Sequence, residues 1–237
     1  MPELSVVVLC YRSGAGAIDF TNRLFRNFNR YDIGNFEIVL VANYLEGTDD
    51  KTPLVVQEIA SKHDNIKFSA RPKEGMMGWD MKCGLTMATG RYIAVIDGDG
   101  QMPIIDLVRV FNEIREKKVD LVKTYREVRG DGPWRKLISY VFNACFNIIF
   151  PGIHSRDINS KPKIMSREFL NKLDLKSDDW FIDAEIMIHL RRINGRFREL
   201  PTEFLGLRGK RKSFVRLPAI WEFAVNLAKA RMEEFRK

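Results

Sequence analysis

The chain has 237 residues, 45% of them hydrophobic and 16 of them Phe, enough for one large α/β domain with or without a C-terminal extension. An excess of 39 Lys and Arg over 31 Asp and Glu leaves a net charge of +8 and calls for an anionic partner: nucleotide, phosphorylated lipid, membrane surface or nucleic acid. No stretch is long and apolar enough to cross a membrane, and the scattered Cys10, Cys83, Cys145, His63, His154 and His189 lack the spacing of a zinc site.

In chain order, the apolar run 4–10 predicts a buried parallel strand and 17–29 carries helical periodicity. Residues 36–42 and 53–62 repeat the pair, with Thr52 as the expected N-cap of the second helix. A short strand over 66–70, a helix over 77–89 closed by Gly90, and a strand over 92–96 follow. Pro103 opens a helix that runs to about Lys117, and 119–123 make a fifth strand. Strands alternating with helices of this length imply a mostly parallel, doubly wound sheet flanked by helices.

The second half is less regular. A loop rich in Arg, Asp and Gly (126–134) precedes a helix over 135–150, and a polar loop over 152–163 comes next. A short strand near Ile164, helices over 167–173 and 183–192, and a late strand over 197–200 complete the domain, expected to span 1–207. Residues 208–237 then form a basic segment, Arg208-Gly209-Lys210-Arg211-Lys212, and an amphipathic helix over 217–235. The wide apolar face of that helix (Ile220, Trp221, Ala224, Val225, Leu227, Ala228, Met232, Phe235), with Lys229, Arg231, Arg236 and Lys237, suits either packing on the sheet or contact with an anionic membrane.

The chemistry concentrates in Asp97-Gly98-Asp99-Gly100-Gln101, directly after the apolar strand. Two carboxylates one residue apart at the carboxyl edge of a sheet stand where α/β folds bind ligands. Hard oxygen donors there suit Mg²⁺ or Mn²⁺ carrying phosphates. A simple Asp-Gly turn is the alternative. A calcium loop of the EF-hand type fails, because its sixth position would be Met102 and its twelfth Val108.

Further motifs stand in a fixed order around this one. Tyr11 follows the first strand; Arg126, Arg135 and Ser139 follow the Asp cluster; then come Arg156-Asp157-Ile158-Asn159-Ser160-Lys161-Pro162-Lys163, Trp180-Phe181-Ile182-Asp183-Ala184-Glu185 and Glu199-Leu200-Pro201. This ordered series resembles the inverting glycosyltransferase family two of GT-A fold, and within it the polyprenyl-phosphate sugar transferases of the dolichol-phosphate mannose synthase type. The resemblance runs from about Leu4 to about Val215. It implies that Asp99, supported by Gln101, holds the metal that bridges the donor diphosphate, while Asp97 touches the ribose or the metal. It further implies Tyr11 beside the nucleotide base and Gly75, Gly78 and Gly84 close to the donor, although helix packing explains single glycines equally well. Arg126, Arg135 and Ser139 would handle donor and acceptor phosphates, for which the guanidinium fork is suited.

Asp157 matches the family's acceptor-side carboxylate. Asp183 or Glu185 would organise the acceptor loop, with Asp179 as an alternative base, while Asp178 and Asp183 also fit helix N-caps. A sugar hydroxyl acceptor needs a general base, whereas a phosphate monoester is already largely ionised, with a second pKa of about 6. The departures from the family are local. Leu9-Cys10-Tyr11-Arg12-Ser13 replaces Pro-x-Tyr-Asn-Glu, Ala42-Asn43-Tyr44 stands where paired Asp read the base, and Ser160-Lys161-Pro162-Lys163 replaces Ser-Gly-Phe-Arg. Asn43 remains able to bond a base, but uracil and guanine both stay open.

The expectation is a metal-dependent hexosyltransferase that takes a UDP- or GDP-linked sugar as donor. Its acceptor is a polyprenyl phosphate or a membrane-associated glycan, with a soluble saccharide hydroxyl as alternative. A basic nucleotide- or nucleic-acid-binding protein is the reading from another class; no nucleic-acid motif supports it. Scattered reduced thiols and a first strand directly after Met1-Pro2-Glu3, with no signal peptide, fit a cytoplasmic protein, peripheral on the membrane or served by a membrane-spanning partner.

Overall fold

The computed structural model describes residues 1–130, 132–205 and 217–235. Its elements run β1 (Leu4–Leu9), α1 (Gly16–Arg30), β2 (Phe36–Val41), α2 (Thr52–Ala60), β3 (Ile66–Ser69), α3 (Met77–Met87), β4 (Tyr92–Asp97) and α4 (Ile105–Lys117). The second half adds β5 (Leu121–Arg129), α5 (Pro133–Ile149), β6 (Lys163–Ser166), α6 (Arg167–Leu170), α7 (Ile182–Arg192), β7 (Phe197–Phe204) and α8 (Leu217–Phe235). The seven strands form one sheet in the order β3-β2-β1-β4-β6-β5-β7.

Both faces of this sheet are covered, which is why its central strands read as unbroken apolar runs. Leu4, Val6 and Val8 of β1 face one layer, with Phe20, Leu24 and Phe28 of α1 and Phe111 of α4. Val7 and Leu9 face the other, with Met81 of α3, Phe146 and Phe150 at the end of α5, and Ile186 and Leu190 of α7. The mostly parallel sheet is present, and its exception is β6, antiparallel to both β4 and β5. A four-residue strand carries no signal of its direction, so β6 came out of the sequence only as a strand near Ile164. By wedging between β4 and β5 it brings the 151–162 loop back to the carboxyl end of β4.

Local expectations shift in three places. Thr52 does not cap α2: the N-cap position is Lys51, without a side-chain cap bond, and Asp50 before it accepts from the Thr52 amide at 3.0 Å and its hydroxyl at 2.5 Å. Thr52 Oγ1 instead accepts from the Gly14 amide at 2.8 Å and ties the β1–α1 turn to α2. Strands β5 and β7 extend well past their expected ends because they pair with each other along their length, with Pro201 tolerated on the edge strand.

Helix α8 packs back onto the domain. Leu227 joins the core, Asn226 donates to Asp179 at 2.7 Å, and Glu234 pairs with Arg191 and Arg192 of α7 at 3.2 and 3.3 Å. The basic run 208–212, the side chains of Ile220, Trp221 and Phe235, and residues Arg236 and Lys237 lie outside the described residues.

Gly84 of α3 shows how closely helix and sheet approach, since a Cβ there would overlap Val7 and Val41. Gly84→Ala is therefore expected to destabilise the fold by about 1–3 kcal/mol, despite the better helix propensity of Ala. The urea unfolding midpoint checks this.

Candidate active site

Asp97 ends β4 in register with Leu9 of β1, so the Asp cluster emerges at the carboxyl edge of the sheet. The Gly98 amide donates to the Leu9 carbonyl at 2.9 Å, and a Cβ at Gly98 would sit 3.1 Å from that oxygen. A side chain there would make a tighter contact than is usual, and β1 would have to give by a few tenths of an ångström. Asp99 Oδ1 accepts from the Gln101 amide at 2.9 Å, which fixes the turn. Gln101 joins this turn to β7: its Nε2 donates to the Leu205 carbonyl at 3.3 Å, and its own carbonyl accepts from the Leu205 amide at 2.9 Å.

Asp97 and Asp99 thus supply two hard carboxylates on adjoining positions of one turn. Among the described residues no third Asp, Glu, His or Cys completes a metal cluster. That donor set fits an Mg²⁺ or Mn²⁺ ion which takes few protein ligands and fills its shell with phosphate and water oxygens.

Toward β2 the structure departs from expectation. The Asn43 side chain is fully buried; it donates to Asp80 at 2.9 Å and accepts from Ser69 Oγ at 2.8 Å and the Arg71 amide at 3.2 Å. It clamps the ends of β2, β3 and α3 together. Asp80 in turn forms a buried ion pair with Lys73. Burial raises the Asp80 pKa, and Lys73 and Asn43 offset only part of that rise. Lys73 Nζ lies 4.6 Å from the ring centre of the half-exposed Tyr11, a cation–π contact. Neither Lys73 nor Asp80 stands out in the sequence, because an Asp in the first turn of a helix reads as a helix-dipole residue.

The glycines near α3 serve packing. A Cβ at Gly78 would come within 2.6 Å of the carbonyls of Ser177 and Asp179, and one at Gly75 would meet Trp79 and Asp178. Gly78 therefore lets α3 abut the 177–179 loop.

On the β5 side, Arg126 grips Asp157 with both arms of its fork, Nε at 2.6 Å and Nη2 at 2.8 Å, and its guanidinium lies 5.3 Å from the Phe204 ring centre. Burial alone would lift the Asp157 pKa, but Arg126, helped by Lys123, holds it below the ordinary carboxylate value. Both carboxylate oxygens of Asp157 thus face the Arg126 fork. Asp179 is also committed, accepting from the Phe181 amide and from Asn226 Nδ2, each at 2.7 Å. Asp178 pairs with Lys82, and Glu185 accepts from the amides of Lys176 and Ser177. Neither Asp178 nor Asp183 caps α7, whose N-cap position is Phe181.

Beneath Asp97 lies a cluster of buried charges. Lys163 stands opposite Val95 of β4 and Lys123 of β5, on the face that α7 covers. Asp183 of α7, almost without exposure, receives Lys163 Nζ at 2.6 Å on one oxygen and Lys161 Nζ at 3.1 Å on the other. Lys161 also lies 3.7 Å from Asp97 Oδ1. Lys123 pairs with Glu199 at 2.9 Å, so the Glu-Leu-Pro segment supplies a counter-ion. Burial works against the charge on Asp183, Lys161 and Lys163. The two lysines nonetheless keep Asp183 below its ordinary value, and Asp183 with Asp97 carries Lys161 up to about 12. Burial dominates at Lys163, pushed down to about 8.

Helix α5 runs alongside this acceptor-side loop. Asn143 donates to the Ser139 carbonyl at 2.8 Å and accepts from the Ile158 amide at 2.9 Å, while Asn147 bonds Ser155. Arg135 and Ser139 stand half-buried on the same helix. The structure therefore gathers Asp97, Asp99, Arg126, Asp157 and Asp183 around the ends of β4, β6 and β5, with Arg135 and Ser139 flanking them on α5.

A mostly parallel sheet that delivers an Asp-x-Asp pair to its edge, with an antiparallel strand carrying the acceptor-side loop beside it, agrees with the sequence comparison. The sequence profile of glycosyl transferase family 2 matches residues 5–187. The chain belongs to this family. A dolichyl-phosphate beta-glucosyltransferase of Trichomonas vaginalis is 27% identical over 191 residues, covering 74% of this chain and 56% of that protein. A dodecaprenyl-phosphate galacturonate synthase of Rhizobium johnstonii is 29% identical over 99 residues, covering 41% and 29%. The chain thus spans less than two thirds of these relatives' length. In structure, glucosyl-3-phosphoglycerate synthase from Mycobacterium tuberculosis, solved with Mn²⁺, UDP and phosphoglyceric acid, superposes with a TM-score of 0.69 at 15% identity, covering 98% of this chain and 78% of that one. S. aureus TarS, solved with UDP-GlcNAc, reaches 0.62 at 20% identity, covering 96% and 66%. The family shares the GT-A architecture expected from the sequence.

Removing Asp183 leaves two buried lysines short of a counter-ion, so Asp183→Asn is expected to cost on the order of 3 kcal/mol. Folded-state values depressed at Asp157 and Asp183 contribute stability that is full above the unfolded carboxylate pKa and lost as pH falls through the folded values. Urea midpoints between about pH 7 and about pH 3 should fall less steeply in the variant, because Asp183 no longer takes part.

Proposed function

We propose that the chain transfers a hexose, with inversion, from a UDP- or GDP-linked sugar to a polyprenyl phosphate at a membrane surface. The observation that carries the lipid reading is the outer face of α5. Trp134, Leu137, Val141 and Ile148 recur on one side of this helix and stand exposed with Tyr140, at 76% for Trp134, 72% for Tyr140 and 78% for Ile148. The opposite side is anchored in the core through Phe146. An apolar helix face bordered by Arg135 and Lys136, with Trp and Tyr on it, suits the interface of an anionic bilayer. No helix of the described residues is long and apolar enough to cross a membrane. Membrane contact, one of the two roles open to the C-terminal helix, is assigned here to α5.

The carboxylates favour the same acceptor. Asp157, Asp179 and Asp183 are all tied to cations or hydrogen-bond donors, which suits an acceptor that needs no general base. A phosphate monoester is such an acceptor. A divalent ion on Asp97 and Asp99 would stabilise the diphosphate leaving group. Arg126, held by Asp157, and Arg135 with Ser139 would orient the acceptor phosphate, whose ionised oxygen attacks the anomeric carbon. The names of the Trichomonas and Rhizobium relatives point to acceptors of this class. On this reading the chain acts as a peripheral protein on the cytoplasmic face.

Two experiments test the donor and acceptor halves separately. UDP or GDP with Mn²⁺ should raise the melting temperature, and Asp99→Ala should abolish that shift; an unchanged shift would remove the metal assignment. The wild-type chain should float with anionic vesicles at low salt, and the double variant Trp134→Ser with Ile148→Ser should bind at least about ten-fold more weakly. Equal flotation of the two would favour a soluble acceptor.

A further inference from the structure

Lys161 has two counter-ions, Asp183 and Asp97. Asp183 is already neutralised by Lys163 at 2.6 Å, the shorter of its two contacts, and Lys161 adds a second cation at 3.1 Å. From there the Lys161 ammonium, with its side chain only 5% exposed, reaches toward Asp97, which is 39% exposed and opens to the donor site. The lysine therefore sits behind the carboxylate, on the protein side, where solvent screens it little.

The charges decide what such a lysine does. With two carboxylates in the turn and a fixed cation 3.7 Å from one of them, a bare divalent ion meets a site whose negative charge is partly cancelled. A divalent ion bound to a nucleoside diphosphate carries a net negative charge, since the diphosphate holds about three negative charges at neutral pH. The same lysine repels the first and attracts the second. We propose that Lys161 is a placeholder counter-ion for Asp97, a positioning residue that selects the metal–nucleotide complex over the free metal ion. This inference rests on the donor-site reading of Asp97 and Asp99. It makes metal and nucleotide binding mutually dependent, and Lys161 the residue that sets how strongly.

The signature is a pair of opposite changes, read without turnover. In Lys161→Met, affinity for Mn²⁺ alone, measured by electron paramagnetic resonance of the unbound ion, should rise at least about ten-fold. Affinity for UDP or GDP at saturating Mn²⁺, measured by calorimetry, should fall by about the same factor. Lys161→Arg keeps the charge and should leave both within about three-fold of the wild type. Lys161→Gln, which retains a hydrogen-bond donor for Asp183, is measured in the same way should the Met variant not fold. A variant whose affinity for Mn²⁺ alone is unchanged or weaker would overturn the proposal, as would two affinities that change in the same direction. Failure of the underlying reading looks different: Asp99→Ala would then bind Mn²⁺ and nucleotide like the wild type, whatever residue 161 is.

Discussion

The bond between Asp183 and its two lysines is the constraint around which the acceptor side of this domain is arranged. Lys161 and Lys163 belong to the loop and strand that return between β4 and β5, while Asp183 opens α7 on the layer above. Ion pairs taken out of water stabilise a fold only when geometry is close and every charge is matched, and breaking one is costly. The cluster therefore admits one arrangement of α7, β6 and β4, and the place of Asp97 follows from it. A hydrophobic contact at the same point would hold the layers together without dictating where a carboxylate at the sheet edge must stand.

The same logic extends outward in two directions. Arg126 and Asp157 repeat it at the end of β5, where a bidentate fork fixes the guanidinium plane. Lys123 and Glu199 repeat it against β7. Positive and negative groups alternate across the strand ends, so the floor of the cleft is close to neutral although the chain carries +8. Seven of the chain's cationic residues, Arg208, Lys210, Arg211, Lys212, Arg216, Arg236 and Lys237, lie outside the described residues.

The sheet and the Asp cluster were legible in the sequence because both are written locally. Strands covered on two faces give unbroken apolar runs, and Asp97-Gly98-Asp99 follows one of them directly. The buried lysines were not legible. Ser160-Lys161-Pro162-Lys163 reads as a solvated loop, since lysine is seldom buried, and the carboxylate that allows its burial lies twenty residues further on. The clamping by Asn43 was hidden for a related reason: an amide at a strand end serves as a ligand donor or as a clamp, and the clamp shows only in the positions of Ser69, Arg71 and Asp80. The apolar stripe of α5 was visible as composition, but which side of it faced the core depended on Phe146 and Phe150 meeting α7.

Helix α5 is apolar on both sides, one embedded in the core and one bare, and it touches the 155–158 loop through Asn143 and Asn147. From Trp134 to Ile148 the bare stripe extends about 21 Å along the helix axis. If that line lies in a bilayer, the helix acts as a keel that fixes the height and tilt of the cleft above the lipid. A lipid phosphate then meets Arg135 while its chain stays in the membrane, so no acceptor has to be lifted into water. Encounter becomes a search in two dimensions, and the quantity that governs the rate is the number of acceptors per area of membrane rather than per volume of cytoplasm.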